Sequence, residues 1–350
     1  MRREYIPTRR RFLKDCFNGI VGASARPLAD ALGPLDSSLQ ASGGVAQSRV
    51  ALACDPMLRQ RGASSLSDHL SLDSARVPPL LDAAVNTLLG ISDPLQAWTT
   101  IARPGERVGI KVNALGGRGL SSNVQLVEAI CERLQHAGVK AQDIVIWDRD
   151  SDELQRAGFR VRTSGNQVQC FGTDRVGFEE PLASFGNVDS QLSKILTRWC
   201  DVLINVPVLK DHDGAGVSIA LKNMYGIIHN PNKYHPNGCN PYVADVNMLP
   251  DIRTRLRLHI CDATTACYEG GPAFKPEFTW QANTLIVSQD PVALDAIGWQ
   301  MIERKRSEQG LKTLAADGRA PAYIATAADA EHRLGIHDLR RIEVVEARVA

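Results

Sequence analysis

Short apolar runs rich in β-branched residues alternate along this chain with segments that have helical spacing. The clearest apolar runs are 106–114, 144–147 and 202–206, and the clearest helical segments are 77–89 and 122–137. Parallel neighbouring strands need a long crossover connection, usually a helix, and alternation of the two patterns is typical of that arrangement. We therefore expect an α/β fold in three layers, with a mainly parallel sheet and helices on both of its faces.

The composition sets the size of the fold and argues against some functions. The chain has 350 residues, 44% of them hydrophobic, which is enough for one large core. We expect a signal and linker over residues 1–47 and a single α/β domain over 48–350. The net charge of +1 gives no reason to expect nucleic acid as a partner, and no apolar run of about 18 residues predicts a transmembrane helix. The eight cysteines are scattered and form no iron–sulfur motif.

The N-terminus resembles a twin-arginine export signal. Residues 8–14 read TRRRFLK, which is a polar residue, two arginines, a spacer and Phe-Leu-Lys. A short Gly/Ala-rich apolar stretch follows, and Ala23-Ser-Ala25 is typical of a cleavage site. We expect the twin-arginine machinery to export the protein to the periplasm. The alternative is a basic N-terminal helix on a cytoplasmic protein.

The densest polar chemistry lies in the stretch 201–241. It opens with an apolar run at 202–206 that ends at Pro207, and Lys210, Asp211, His212 and Asp213 follow shortly after. In open α/β sheets, ligands bind at the carboxyl ends of strands. Charged groups packed at such a point are costly unless they meet a ligand, a metal or each other. We therefore expect a binding site here.

Other polar residues also follow predicted strands. Lys111 and Asn113 are two positions apart, so they should point to the same side of their strand. If the sheet is parallel, the carboxyl ends of its strands share one edge, and a single cleft would collect these side chains. The predicted set is Lys111, Asn113, Asn205, Lys210, His212, Lys222, Asn223, Asp262 and Asp290, with Asp148, Glu269 and Asp295 as further candidates.

The motifs formed by these residues resemble the signature of domain of unknown function family 362. They are Lys111-Val-Asn113, Asn205-Val-Pro-Val-Leu-Lys210-x-His212, Leu221-Lys222-Asn223-Met-Tyr-Gly226, Asp262 followed by Gly270-Gly271-Pro272, and Asp290-Pro291-x-Ala293-x-Asp295. They occur in the family's order over about 107–304. The family has forms fused to ferredoxin modules and forms with twin-arginine signals, and this chain resembles the second kind. The resemblance implies a fold and a site, but no activity.

The first functional hypothesis is an enzyme that acts on a small anionic compound, with Lys210, His212 and Lys222 as catalytic residues. The lysines would neutralise a carboxylate or phosphate, and His212 would move a proton. A desolvated Lys210 or Lys222 could also form a Schiff base. The predicted substrate- or anion-binding residues are Lys111, Asn113, Asn205, Asn223, Asp262 and Asp290.

Three alternatives stay open. A divalent metal could bind His212, His229 and Asp262, whose nitrogen and oxygen donors suit such an ion, whereas His235 is expected at the surface. A non-catalytic periplasmic protein that binds a ligand or metal, or matures another protein, could use the same cleft. The lysines and aspartates could also form only an internal ion-pair network. We favour a metal- or cofactor-assisted enzyme of unknown reaction class.

Overall fold

The computed structural model describes residues 47–59 and 71–349. The export signal and linker predicted for residues 1–47 therefore lie, except for Gln47, outside the described residues. In the described part of the chain, no helix is both long enough and apolar enough to cross a membrane.

Strands and helices alternate along the chain. The strands are β1 (Ser48–Cys54), β2 (Val108–Val112), β3 (Ile144–Trp147), β4 (Gln169–Cys170), β5 (Ala183–Phe185), β6 (Val188–Ser190), β7 (Val202–Val206), β8 (Val208–His212), β9 (Gly216–Ser218), β10 (Leu256–Cys267), β11 (Thr279–Trp280), β12 (Thr284–Ser288) and β13 (Ile342–Ala347). The helices are α1 (Val77–Leu89), α2 (Pro94–Ile101), α3 (Val124–His136), α4 (Ser151–Ala157), α5 (Lys194–Trp199), α6 (Ala220–Asn223), α7 (Tyr242–Met248), α8 (Pro250–Arg255), α9 (Pro291–Glu308) and α10 (Tyr323–Ala327).

One large sheet has the strand order β13-β1-β12-β10-β7-β2-β3-β4. Neighbouring strands in it are parallel except where β12 pairs with β1 and β10, to both of which it is antiparallel. The strands β8, β9 and β11 extend the sheet beside β10, and β5 and β6 form a separate hairpin. The predicted α/β fold with a mainly parallel sheet is thus confirmed. The carboxyl ends of β2, β3 and β7 face the same edge.

Helices cover both faces of this sheet. Along β1, Val50 and Leu52 pack into one core and Ala51 and Ala53 into another, because successive side chains of a strand point to opposite faces. The helices α1, α2 and α3 contribute to the core that contains Ala51, and α5, α7, α9 and α10 contribute to the other. The predicted three-layer arrangement is confirmed.

Local signals explain where several helices begin. The side chain of Asn123 accepts a hydrogen bond from the Gln125 N–H at 2.9 Å and caps α3. Asp290 caps α9 by accepting from the N–H groups of Val292 and Ala293 at 2.8 and 2.9 Å. Pro291 takes the first position of α9, where its missing N–H costs little.

Three segments differ from the sequence-based expectation. The sequence predicts a loop after Pro207, but β8 begins at Val208, where pairing with β9 and β10 holds it extended. β10 runs for 12 residues, well past Asp262, at which the predicted strand ends. The sequence over 320–334 also predicts a helix, but the helix found there is confined to Tyr323–Ala327. The two strand differences depend on long-range pairing, which local periodicity does not reveal.

Candidate functional site

A cleft of about 840 Å³ opens at the edge of the sheet where β2 and β3 end. Six of the nine predicted site residues line it. They are Lys111, Asn113, Lys210, His212, Lys222 and Asn223. Side chains from three separated segments of the chain therefore meet in one place.

Two of these side chains lie on β8. Lys210 and His212 alternate with Leu209 and Asp211, so the two pairs point to opposite sides of the strand. Leu209 packs into the core, and the buried Asp211 accepts a hydrogen bond from Arg319 at 2.8 Å. Because β8 is paired on both sides, the backbone positions of Lys210 and His212 are fixed by the sheet.

Lys111 is neutralised inside the protein. Its Nζ lies 2.7 Å from Oδ1 of Asp148, and the two side chains are only 1% and 7% exposed. The Asp148 carboxylate also accepts hydrogen bonds from the N–H groups of Ala114 and Arg149, both at 2.8 Å. Gly226 packs so closely on this pair that a Cβ there would lie 2.6 Å from Nζ of Lys111. Glycine at position 226 therefore leaves room for the ion pair, and Lys111 is less available to a ligand than predicted.

Lys210 has no such partner. Its Nζ donates to Oδ1 of Asn113 at 2.7 Å, and no carboxylate of the described residues lies within salt-bridge distance of it. Burial lowers the pKa of Lys210 from 10.5 to about 8, with small contributions from the charges of Lys222 and Lys111, although the charge of Asp148 acts in the opposite direction. An ammonium group has three N–H donors, so after the bond to Asn113 two remain for a ligand in the cleft.

Lys222 is held as a cation by uncharged groups. Its Nζ lies 3.3 Å from Nε2 of His235 and 4.5 Å from the centre of the Tyr225 ring. Nδ1 of His235 donates to the Pro231 carbonyl at 3.0 Å, so Nε2 is the nitrogen that accepts from Lys222. Burial lowers the pKa of Lys222 and of His235, and the charge of Lys222 lowers the pKa of His235 further. Lys222 therefore lies at the cleft with uncharged partners that can orient its nitrogen toward an anionic ligand.

His212 is a neutral ring beside these two cations. Its Nδ1 accepts a hydrogen bond from the Gly214 N–H at 3.1 Å, which assigns the ring proton to Nε2. Burial, together with the charges of Lys222 and Lys210, lowers the pKa of His212 to about 2. A ring with this pKa is a poor proton acceptor at neutral pH. The predicted role of His212 in moving a proton is therefore disfavoured, and its Nε2–H is better suited to donate a hydrogen bond to a ligand.

A chain of amides connects Lys210 to a buried histidine. Asn113, which accepts from Lys210, donates to Oδ1 of Asn223 at 3.0 Å, and Asn223 donates to Oδ1 of Asn205 at 2.7 Å. Asn205 donates to Nδ1 of His259 at 3.0 Å, and burial lowers the pKa of His259 to about 3. All the bonds run in one direction, from a cation to a neutral ring, so the amide dipoles align. Asn205 thus lies behind the cleft and acts on it through Asn223.

Two predicted residues lie away from the cleft. Asp262 does not end its strand, and alternation along β10 turns it toward α3, where it accepts from the N–H groups of Asn123 at 2.7 Å and Thr264 at 2.9 Å. Asp290 lies at the opposite edge of the sheet, because β12 is antiparallel to its neighbours and its carboxyl end points the other way. The expectation of one shared edge holds only for the parallel strands.

The predicted metal ligands do not meet. His229 lines the cleft, with its ring edge-on to Phe178 at 5.0 Å between ring centres, and His212 lines it too, but Asp262 is turned to the other face of the sheet. Over residues 47–59 and 71–349, no group of three or more His, Cys, Asp or Glu side chains is placed to hold a metal ion.

His235 is a cleft residue that the sequence analysis expected at the surface. Its ring packs edge-on against Tyr225 with 5.6 Å between ring centres, and the Tyr225 hydroxyl donates to the Tyr234 carbonyl at 2.7 Å. These contacts hold a proline- and asparagine-rich loop against the site. Spacing in the sequence does not tell which polar side chain of this loop faces inward.

The cleft also has an acidic part, which the sequence analysis did not identify. Glu153 lines it from α4, and burial, with the charges of Asp148 and Asp150, raises the pKa of Glu153. Asp150 caps α4 by accepting from the Glu153 N–H at 2.9 Å, and Asp174 accepts from Ser151 at 2.8 Å. Those two aspartates therefore serve the backbone, and Glu153 is the acid that is left to meet a ligand.

Comparison with known proteins gives a resemblance to a solved structure and a family. The fold resembles the lactate racemase apoprotein from Thermoanaerobacterium thermosaccharolyticum with a TM-score of 0.38 and 14% sequence identity. The match covers 60% of this chain and 51% of the other, so this chain spans about half of that structure, and we carry no residue or chemistry across. No curated protein matches the sequence. The family model described as "Domain of unknown function (DUF362)" matches residues 108–300, more than half of the chain. The chain therefore belongs to the DUF362 family.

Proposed function

We propose that this protein is an enzyme that binds a small anionic organic compound, a carboxylate or a phosphate, between Lys210 and Lys222. The observation that carries the proposal is the state of these two lysines. Both are buried at the cleft, and neither has a carboxylate within salt-bridge distance among the described residues. A buried cation without a counter-charge is costly unless a ligand supplies one. Asn113, Asn223 and His212 add uncharged hydrogen-bonding groups around the same space.

Catalysis is favoured over simple binding by the pKa of Lys210. Its value of about 8 lies near neutral pH, where a side chain can exist in both protonation states and transfer a proton efficiently. Glu153, whose pKa is raised, offers an acid on the other side of the cleft. A non-catalytic binding protein would need only the positive charges. We leave a metal out of the proposal, because His212, His229 and Asp262 do not converge.

Lys222→Met should weaken the binding of oxamate and inorganic phosphate by about 10- to 100-fold, as expected when one charge-assisted contact is lost. Isothermal titration calorimetry on the purified full chain measures the affinity. Lys233→Met is the matched control, because Lys233 also lies over a tyrosine, with Nζ 5.3 Å from the Tyr234 ring centre, but is exposed.

The Lys233→Met control should change both affinities by no more than about twofold. Urea unfolding should remain cooperative for both variants. Unfolding of Lys222→Met would mean that the contacts of Lys222 with His235 and Tyr225 serve the fold. Unchanged affinity in Lys222→Met, or a native protein that binds neither anion, would contradict the proposed function.

Export through the twin-arginine route is a separate part of the proposal, based on residues 8–14. Replacing Arg9 and Arg10 together by lysine keeps the positive charge but removes the arginine pair that the export receptor reads. We expect the full chain to remain in the cytoplasm, as measured by cell fractionation. Replacing Arg2 and Arg3 by lysine is the control and should leave export unchanged. Equal distributions of the two variants would support a basic N-terminal helix instead.

A further inference from the structure

We propose that Lys210 is a nucleophile that forms an imine with a small aldehyde or ketone carrying a carboxylate or phosphate. This inference rests on the proposed function and narrows its substrate to carbonyl compounds. The anionic group would sit against Lys222, and the carbonyl carbon would lie at Nζ of Lys210. Both lysines and His212 line the same cleft.

The three lysines of the cleft differ in what holds their nitrogen, and the difference selects Lys210. Nζ of Lys111 lies 2.7 Å from the Asp148 carboxylate, which occupies it in a buried ion pair. Lys222 lies over the Tyr225 ring, and a cation–π contact favours the charged form. Among the described residues, Nζ of Lys210 donates to the neutral amide oxygen of Asn113 and forms no salt bridge, and the Asp148 charge reaches it only from a longer distance. Burial lowers the pKa of both Lys210 and Lys222, but Lys210 lacks the aromatic ring that favours the charged form of Lys222, so we take Lys210 as the nucleophile.

The position of the Lys210 nitrogen is also fixed. The N–H₂ group of Asn113 donates to Asn223, and that of Asn223 donates to Asn205. These bonds orient the Asn113 amide so that its oxygen faces Lys210. An amine held by a single acceptor keeps its lone pair free to attack a carbonyl carbon. Burial and the neighbouring charges lower the pKa of this amine to about 8, so a usable neutral fraction exists at pH 7.

The step balances within the site. Deprotonated Lys210 attacks the carbonyl carbon, a C–N bond forms, and the carbonyl oxygen becomes the hydroxyl of a carbinolamine. The C–O bond then breaks and water leaves. Of the three N–H protons of the original ammonium group, two end on that water and one remains on the nitrogen of the protonated imine. Nε2–H of His212, assigned by the Gly214 hydrogen bond, can donate to the oxygen while this happens. No oxidant, reductant or metal is required.

Reductive trapping tests the proposal. The full chain is incubated at pH 7 with pyruvate or with dihydroxyacetone phosphate in the presence of sodium cyanoborohydride, digested, and analysed by peptide mass spectrometry. We expect the reduced adduct on Lys210 to exceed that on the exposed Lys233 by at least about tenfold, because more of the Lys210 amine is neutral. Oxamate, which has the carboxylate of pyruvate but an unreactive amide, should suppress the pyruvate adduct. Trapping with pyruvate alone would identify a carboxylate substrate, and trapping with dihydroxyacetone phosphate alone a phosphate ester.

Lys210→Arg is the control variant, because it keeps a positive charge but cannot form an imine. It should lose the adduct on the peptide that contains residue 210 while binding inorganic phosphate within about tenfold of the native affinity. A native protein that binds oxamate or phosphate but is trapped by neither carbonyl compound would overturn the imine and leave the proposed function standing. Equal labelling of Lys210 and Lys233 would also overturn it. A native protein that neither binds an anion nor is trapped would contradict both proposals.

Discussion

Asp148→Asn should destabilise the protein by about 3–5 kcal/mol at pH 7, because it leaves the buried Lys111 ammonium group without its counter-charge. The carboxylate now accepts from Lys111, Ala114 and Arg149. An amide has only one oxygen, so its N–H₂ group would face at least one of these donors. Urea denaturation, read as the free energy of unfolding, measures the effect.

Asp201→Asn provides a matched control for this prediction. Asp201 lies 2.7 Å from Arg107, the same distance as in the buried pair, but the two side chains are 43% and 46% exposed. Exposed ion pairs contribute about 0–1 kcal/mol, so this substitution should cost no more than about 1 kcal/mol. Adding Lys111→Met to Asp148→Asn should recover part of the loss, because the unpaired charge disappears. Equal costs for the two aspartate substitutions would mean that water reaches the Lys111–Asp148 pair.

Much of the fold could be predicted because the local spacing of apolar residues indicates its helices and strands. The apolar period of α1 and the short apolar run of β3 give the bounds Val77–Leu89 and Ile144–Trp147 directly. The direction of β12 could not be predicted, because a strand has the same alternation whichever way it runs. Nor could β8, whose polar residues are held extended by pairing with β9 and β10 rather than by their own preferences.

The site residues also divide into those that local sequence patterns predict and those whose positions depend on long-range contacts. Lys111, Asn113 and Lys210 were grouped correctly in one cleft, because parallel strands bring their carboxyl ends to one edge. Asp262 and Asp290 were grouped with them on the same reasoning, but the length of β10 and the direction of β12 place both elsewhere. The sequence assigns Lys111 to anion binding and Lys210 to catalysis, but it does not reveal which lysine has a counter-charge. Only contacts distant in sequence separate Lys111, which has a carboxylate partner, from Lys210, which has an amide.

The difference between the carboxylate partner of Lys111 and the amide partner of Lys210 leads to the second large expected effect. Lys210→Met should stabilise the protein by about 2 kcal/mol at pH 7 and weaken oxamate binding by about 10- to 100-fold. The shift of the Lys210 pKa from 10.5 to about 8 corresponds to about 3 kcal/mol of unfavourable burial, offset by about 1 kcal/mol for the lost hydrogen bond to Asn113. The unfolded chain holds this proton up to pH 10.5 and the folded chain only to about 8. The stability of the native protein should therefore rise between those values relative to the variant. The advantage of Lys210→Met should be full below pH 8 and should become, above pH 10.5, a deficit of about 1 kcal/mol from the lost hydrogen bond.

Lys111→Met is the contrast that makes this result informative. Both lysines are 1% exposed, so burial by itself would give the two methionine substitutions the same sign. Because Lys111 neutralises Asp148, its removal should instead destabilise the protein, leaving a buried carboxylate without a cation. Free energies of unfolding from urea denaturation across pH 6–11, and oxamate titrations at pH 7, give both comparisons. A cation whose removal strengthens the fold but weakens anion binding is retained for its ligand. A loss of stability in Lys210→Met would mean that Lys210 serves the fold. That result would contradict the proposal that a ligand binds between Lys210 and Lys222.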